Sequence, residues 1–153
     1  MRNLELKIPP VAVTIIFAAL MWLVSMVLQK MHFGGAFHSA AVIIFSFTGA
    51  AFAIAGVVSF RTAKTTVHPM KPDSATSLVT SGIYSITRNP MYVGLLFVLI
   101  AWGFYIESAY SLLLLIPFVA YMNKFQIRPE ERALRIIFGD AYDSYVLRVR
   151  RWL

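Results

Sequence analysis

A polar segment runs straight into an apolar stretch at residues 81–94, and its residue types could do chemistry. Asn89 and Pro90 stand where the apolar stretch begins, a pair typical of a helix N-cap followed by the first helical residue. An Asn side chain at the N-cap can accept hydrogen bonds from the free N–H groups of the first turn. The helix dipole and the remaining N–H groups attract anions, and Arg88 lies beside them. The junction therefore predicts an anion-binding site at one end of a membrane helix.

Each side chain around this junction has two interpretations from its chemistry alone. Arg88 is either a basic anchor at the membrane surface or a clamp for a carboxylate or phosphate. Tyr84 and Tyr92 are either interfacial aromatics or a stacking surface with a hydroxyl at the water boundary. Arg128, further along the chain, is either another anchor or a second anion contact.

A second charged cluster follows the last apolar stretch. Pro129 stands directly ahead of two acidic residues, which predicts that a helix begins there. Adjacent residues of a helix point about 100° apart, so Glu130 and Glu131 cannot face one pocket equally. We expect one carboxylate to bind a ligand and the other to pair with Arg132 or Arg135.

Composition excludes several classes of function. The 153 residues are 59% hydrophobic, which is too apolar for an ordinary soluble domain. Cysteine is absent, and the three histidines lack metal-ligand spacing, so we expect neither thiolate chemistry nor a metal site. The net charge of +7 does not indicate nucleic-acid binding, because the basic residues flank apolar runs instead of forming a stripe with aromatics. The composition predicts one membrane domain.

Four apolar runs predict four transmembrane helices, at about residues 8–28, 40–60, 90–105 and 110–125. With four spans, thirteen of the 14 Lys and Arg residues fall on the side that holds both termini and the long second loop. The positive-inside rule places that side in the cytoplasm. We therefore expect an all-α integral membrane protein of the inner or cell membrane, with both termini cytoplasmic.

The chain after the fourth span is amphipathic. Apolar residues at three- and four-residue steps predict two cytoplasmic helices at about residues 129–138 and 140–150, lying on the membrane surface or folded back over the spans. Gly139 should end the first helix and Asp140 should cap the second. The loop at residues 61–87 is long enough to form a lid or a wall of the site.

Two features concern how the spans pack. Gly49, Ala53 and Gly56 put small residues at three- and four-residue spacing, which predicts a close helix contact and also permits a homodimer. Pro117 should kink the fourth span, because its ring clashes with the preceding turn.

Three ordered motifs cover roughly residues 65–151. They read Gly82-x-Tyr84-x3-Arg88-Asn89-Pro90-Met91-Tyr92-x-Gly94, then Arg128-x-Glu130-Glu131, then Phe138-Gly139-x2-Tyr142-x2-Tyr145. Together they resemble the isoprenylcysteine carboxyl methyltransferase family and the related membrane phospholipid N-methyltransferases.

This resemblance implies methyl transfer from S-adenosylmethionine, at the cytoplasmic membrane face, to a lipid-like acceptor that enters from the bilayer. It implies that the cofactor pocket is lined by Tyr84, Asn89, Pro90, Tyr92, Glu130 and Glu131. Arg88 and Arg128 would be catalytic, near the transferring methyl or the substrate's anionic group. Many carboxyl methyltransferases of the family have His where this chain has Asn89, which can donate hydrogen bonds but cannot titrate.

The sequence does not decide the chemical identity of the methyl acceptor. Methyl transfer from a sulfonium is an in-line displacement that needs no metal or thiol, and alignment of the reactants can supply roughly 7–11 kcal/mol. A carboxylate acceptor needs no base, whereas an ammonium must first lose a proton to a tyrosine or glutamate. A thiol is the third candidate. The alternative function is a non-catalytic membrane scaffold or small transporter, although no charged residue lies in the interior of the four runs, which counts against transport.

Overall fold

The computed structural model describes residues 5–28, 35–62 and 77–153, and these are helical apart from short connections. The helices are α1 (Pro10–Val27), α2 (Gly35–Thr62), α3 (Pro90–Tyr105), α4 (Ala109–Leu112), α5 (Leu115–Tyr121), α6 (Arg128–Phe138) and α7 (Asp140–Arg148). A 3₁₀ helix at Gly82–Ser85 precedes α3, and a π-helix at Met122–Ile127 joins α5 to α6. No β-strand occurs in these three segments, where Thr87 and Arg150 form one isolated parallel bridge.

Three helical stretches are long and apolar enough to cross a bilayer: Pro10–Val27, Gly35–Thr62 and the continuous stretch Ala109–Phe138. The third predicted span is confirmed as a helix with its predicted bounds, Pro90–Tyr105. Its 16 residues extend about 24 Å, somewhat less than the roughly 30 Å of bilayer hydrocarbon. The arrangement as four spans stays a prediction, and so does the lid at residues 61–87, because residues 63–76 lie outside the described part of the chain.

The predicted helix at residues 129–138 is confirmed as α6, which begins at Arg128 with Pro129 in its first turn. The π-helix leads directly into α6, so helical backbone runs on through Pro129. Pro129 has no N–H, so the carbonyl of Phe125 loses its partner in the helix. The N–H of Leu6 donates to that carbonyl at 3.0 Å. The π-helix just before Pro129 widens the turn that the proline ring would crowd. The helix therefore continues because a distant segment satisfies the carbonyl that the proline exposes.

The apolar part of this long stretch ends at Ile127, because five of the 11 residues of α6 are charged. We treat residues 109–127 as the part that can span the bilayer and α6 as lying outside it. Around the predicted kink at Pro117 the stretch departs locally from regular α-helical geometry. The α-helical pattern breaks at Leu113 and Leu114, and the N–H of Ile116 bonds the carbonyl of Leu113 at 3.2 Å, the carbonyl that Pro117 cannot reach.

The predicted close contact between small residues is confirmed, and it joins α2 to α3. A Cβ atom added to Gly94 would lie 2.8 Å from the carbonyl oxygen of Gly49 and 3.1 Å from the nitrogen of Ala53. The two backbones therefore approach closely, as small residues permit in lipid. Stacked rings continue the contact, with Phe45 of α2 against Phe97 and Phe104 of α3. This contact fixes the position of α3 against α2 and hence the position of the polar junction.

Helix α7, which follows Gly139, folds back onto the protein. Gly139 ends α6 with φ +48°, as predicted, but Asp140 is already the first residue of α7 and does not cap it. One face of the α6–α7 pair is buried in an apolar cluster, which is formed by Leu78, Leu134, Phe138, Tyr142, Tyr145, Val146 and Val149. This packing brings the C-terminus against the start of α3.

Candidate active site

Backbone hydrogen bonds satisfy N–H groups in the first turn of α3. The N–H groups of Tyr92 and Val93 both donate to the carbonyl of Asn89 at 3.0 Å, and the side chain of Asn89 makes no cap hydrogen bond. Pro90 occupies the first turn as predicted. The predicted capping by the Asn89 side chain is thus wrong, because its amide donates instead to the carbonyl of Arg151 at 2.9 Å. With these N–H groups committed, the helix start offers less to an anion than its sequence suggested.

Arg88 holds the C-terminal elements. Its Nη1 donates to the carbonyls of Val146 and Val149 at 3.1 and 2.9 Å, which satisfies the end of α7. Its Nη2 donates to Oε1 of Glu131 at 2.9 Å. The side chain is 9% exposed, and its buried Nε has no hydrogen-bond partner. Arg88 is therefore a packing and charge-pairing residue that keeps one donor unused.

Glu131 is held on both oxygens. Arg151 donates from Nε to Oε1 at 3.0 Å and from Nη2 to Oε2 at 2.6 Å, while Arg88 shares Oε1. The hydrogen bond to Glu131 raises the pKa of Arg151. The predicted partners were wrong: exposed Arg132 pairs with Glu5, and exposed Arg135 pairs with Asp143. Sequence reasoning missed Arg151, because nothing distinguished it from the other arginines of the basic C-terminus.

Glu130 has a different environment. The hydroxyl of buried Tyr92 donates to its Oε2 at 3.0 Å. Burial raises the pKa of the Glu130 carboxyl to about 7, the negative charge of Glu131 adds to the rise, and the Tyr92 hydrogen bond opposes it. A carboxyl that gains and loses a proton near neutral pH can act as a general base. The two neighbouring glutamates thus differ in what they can do.

Among the described residues, no hydrogen bond joins Tyr84 or Arg128 to the side chains of Arg88, Asn89, Tyr92 or the two glutamates. Tyr84 is buried, packs edge-on against Phe60, and accepts at its carbonyl a 2.6 Å hydrogen bond from the hydroxyl of Tyr145. Burial raises the pKa of Tyr84 well above its usual range. Arg128 is exposed. The structure brings Arg88, Asn89, Tyr92 and the two glutamates together, and it does not bring Arg128 into their hydrogen-bond network.

No group of three His, Asp or Glu side chains that could hold a metal lies in the described part of the chain. The junction holds the Glu130 carboxyl with its pKa of about 7, the phenol of Tyr92 and the guanidinium of Arg88, whose Nε has no hydrogen-bond partner. These groups lie beside apolar helices.

Comparison with known proteins assigns the family. The profile of a family described as PEMT, phospholipid methyltransferase, matches residues 11–141, most of the chain. The chain belongs to the phospholipid methyltransferase family. An uncharacterized protein of Haemophilus influenzae (strain Rd) is 43% identical over 63 residues, covering 41% of this chain and all of that protein. No solved structure gives a significant match.

As a member of the phospholipid methyltransferase family, the chain is a membrane methyltransferase, which agrees with its long apolar helices. The family match spans both the apolar helices and the Glu130–Glu131 pair. The resemblance stated from the motifs is therefore confirmed at the level of the family.

Proposed function

We propose that this chain transfers a methyl group from S-adenosylmethionine to the amine of a membrane phospholipid, at the cytoplasmic face of the inner or cell membrane. Two observations support the proposal: the phospholipid methyltransferase match and the Glu130 carboxyl beside Tyr92 at the start of apolar helix α3. The basic-residue count supports the cytoplasmic side.

The residues at the junction fit the cofactor. S-Adenosylmethionine carries a carboxylate, and the unpaired Nε of Arg88 is a donor suited to one. The ring and hydroxyl of Tyr92 add an aromatic and polar surface. Asn89 and Pro90 are buried, as is Tyr84, so we propose that these three form the wall of the pocket. When bound, the cofactor supplies a methyl group on a positively charged sulfur.

The Glu130 carboxyl supports an amine acceptor. An ammonium headgroup cannot attack the methyl until it loses a proton, and a base with a pKa near the working pH takes that proton best. Glu130, with its pKa of about 7 and its Tyr92 hydrogen bond, meets this requirement. A carboxylate acceptor would have no use for such a base. We therefore assign Glu130 to the acceptor and Glu131 to holding Arg88 and Arg151.

The first test is calorimetric binding of S-adenosylhomocysteine to the detergent-purified chain, beside its decarboxylated analogue. We expect saturable binding that weakens about tenfold for the analogue, because one charge-assisted hydrogen bond is worth roughly 1.5–3 kcal/mol. Equal affinities would remove Arg88 from cofactor binding. A folded chain that binds neither compound would favour the alternative function, a non-catalytic membrane scaffold.

The second test compares acceptors at a fixed S-adenosylmethionine concentration. Labelled methyl should enter an ethanolamine phospholipid, and it should not enter a prenylated cysteine with a free carboxylate or a lipid thiol. Methylation of the carboxylate alone would overturn the assignment of Glu130 as base while leaving the methyltransferase intact.

A further inference from the structure

The last residues of the chain, Val149–Leu153, form what we call the C-terminal strap. It runs beside the segment ahead of α3: the N–H of Arg88 donates to the carbonyl of Arg150 at 2.9 Å, and the hydroxyl of Thr87 donates to the carbonyl of Arg151 at 3.2 Å. The indole N–H of Trp152 donates to Oδ1 of Asn123 in the π-helix at 3.1 Å. The strap is thus tied at both ends to the elements that carry the candidate site.

The C-terminal strap places the guanidinium of Arg151 against the carboxylate of Glu131. Arg151 binds this carboxylate through two hydrogen bonds, and its side chain is 34% exposed while that of Glu131 is 16% exposed. Arg88 and Arg151 together place two positive charges on one carboxylate. Because both oxygens of Glu131 are committed, this residue cannot turn toward a ligand, and the start of α6 is fixed with Glu130 against Tyr92.

We propose that Arg151 is a positioning residue of the methyltransferase, which acts through Glu131 to hold Glu130 in place and to neutralise the charge beside it. This proposal rests on the proposed function for its kinetic readout. Arg151 belongs to none of the three motifs that identify the family, and its role comes from the tertiary contact alone.

The pKa of Glu130 depends on the charges around its carboxylate. The groups that interact with the Glu130 carboxylate are Tyr92 from α3, Tyr84 from the 3₁₀ helix, Tyr142 from α7 and Glu131 from its own helix. The phenols are neutral near pH 7, so Glu131 is the charged neighbour, and its charge raises the pKa of Glu130. Removing Arg151 leaves Glu131 less neutralised, so the pKa of Glu130 should rise further.

The variants are Arg151→Ala, Arg151→Lys and Arg150→Ala, each measured for kcat, KM and the pH dependence of methyl transfer. Arg150 is the matched control, because it is the neighbouring exposed arginine and its contacts with residues 87 and 88 are made by backbone atoms. We expect Arg151→Ala to lower kcat about tenfold or more, since misplacement of a reacting group by about 1 Å can cost 100-fold. The acidic limb of its profile should move to higher pH, Arg151→Lys should recover part of the loss, and Arg150→Ala should match the wild type.

A double-mutant cycle shows whether Arg151 acts through Glu131. In a Glu131→Gln background, adding Arg151→Ala should change kcat less than about threefold, because coupled residues are not additive. An undiminished loss in that background would overturn the proposal. So would equal losses in Arg150→Ala and Arg151→Ala, which would reveal only a stabilising strap.

One readout does not depend on turnover. Infrared titration of the protonated carboxyl band, assigned with Glu130→Gln, reports the pKa of Glu130 in the folded chain. It should be higher in Arg151→Ala than in the wild type even if no acceptor is methylated, and an unchanged value would overturn the proposal. Absence of methyl transfer by the wild type would count against the proposed function alone.

Discussion

The contact between α2 and α3 and the polar junction at the start of α3 are built in opposite ways. At the first, the backbones of Gly49 and Gly94 approach so closely that no side chain fits between them. At the second, charged and polar side chains meet: Arg88, Glu131 and Arg151 on one side and Tyr92 with Glu130 on the other. The first region is specified by shape, and the second by hydrogen bonds and charge.

This difference separates stability from function along one helix. Close packing of small residues stabilises helices in lipid without any polar group, so the α2–α3 contact can hold α3 rigidly. The junction at its end can then carry a carboxyl whose burial is unfavourable when it is charged. Substitutions should therefore act through volume at the first region and through charge at the second.

The largest effect should come from Gly94→Leu. Its side chain has no room, since even a Cβ would lie 2.8 Å from the backbone oxygen of Gly49, so we expect little folded protein in detergent by size-exclusion chromatography. Gly35→Leu is the control, because nothing lies within 4 Å of a Cβ at Gly35. Equal yields of folded protein from both variants would show that the contact does not hold the helices together.

Arg88→Ala should be the next largest. It removes the donor to two carbonyls at the end of α7 and one partner of Glu131, and losing one member of a buried pair costs about 3 kcal/mol. Thermal unfolding should show this loss, while exposed Arg61→Ala changes the free energy of unfolding by less than about 0.5 kcal/mol. A wild-type unfolding temperature for Arg88→Ala would mean that its contacts are dispensable and that Arg88 is reserved for ligands.

The Glu130→Gln variant should change how the stability of the protein depends on pH. Burial raises the pKa of Glu130 from 4.5 to about 7, so the fold favours the protonated form. That contribution is complete below pH 4.5 and is lost as the pH rises through about 7. Between pH 5 and pH 8 the unfolding temperature of the wild type should therefore fall more than that of Glu130→Gln. The Glu107→Gln variant, at the turn after α3, serves as control, and parallel curves for wild type and Glu130→Gln would contradict a buried carboxyl.

Arg128→Ala should have the smallest effect. The sequence suggested a catalytic role, but the side chain is exposed and lies outside the hydrogen-bond network of the junction. We expect less than a threefold change in kcat/KM, in contrast to the losses expected for the residues of that network. A loss of about 100-fold would show that Arg128 does act in catalysis, and we would then infer that it binds the acceptor's phosphate.

Local patterns predicted much of the fold, and contacts between distant segments explain the errors. The bounds of α3 follow from Pro90 and the apolar run, and Gly139 ends α6 because its φ is positive. Pro129 predicted the start of α6 to within one residue, but the sequence could not show that a π-helix would lead into it or that Leu6 would bond the carbonyl that Pro129 exposes. Proximity in sequence likewise suggested Arg132 or Arg135 for Glu131, although the fold supplies two more distant arginines.

The most direct test of the account is the rate of labelled methyl transfer to an ethanolamine phospholipid as a function of pH, for the wild type beside Glu130→Gln. We expect a wild-type rate that rises with pH through about 7 and a loss of at least about 100-fold in Glu130→Gln, the effect typical of removing a general base. Equal rates in both proteins with no rise near pH 7 would contradict the assignment of Glu130 as the base.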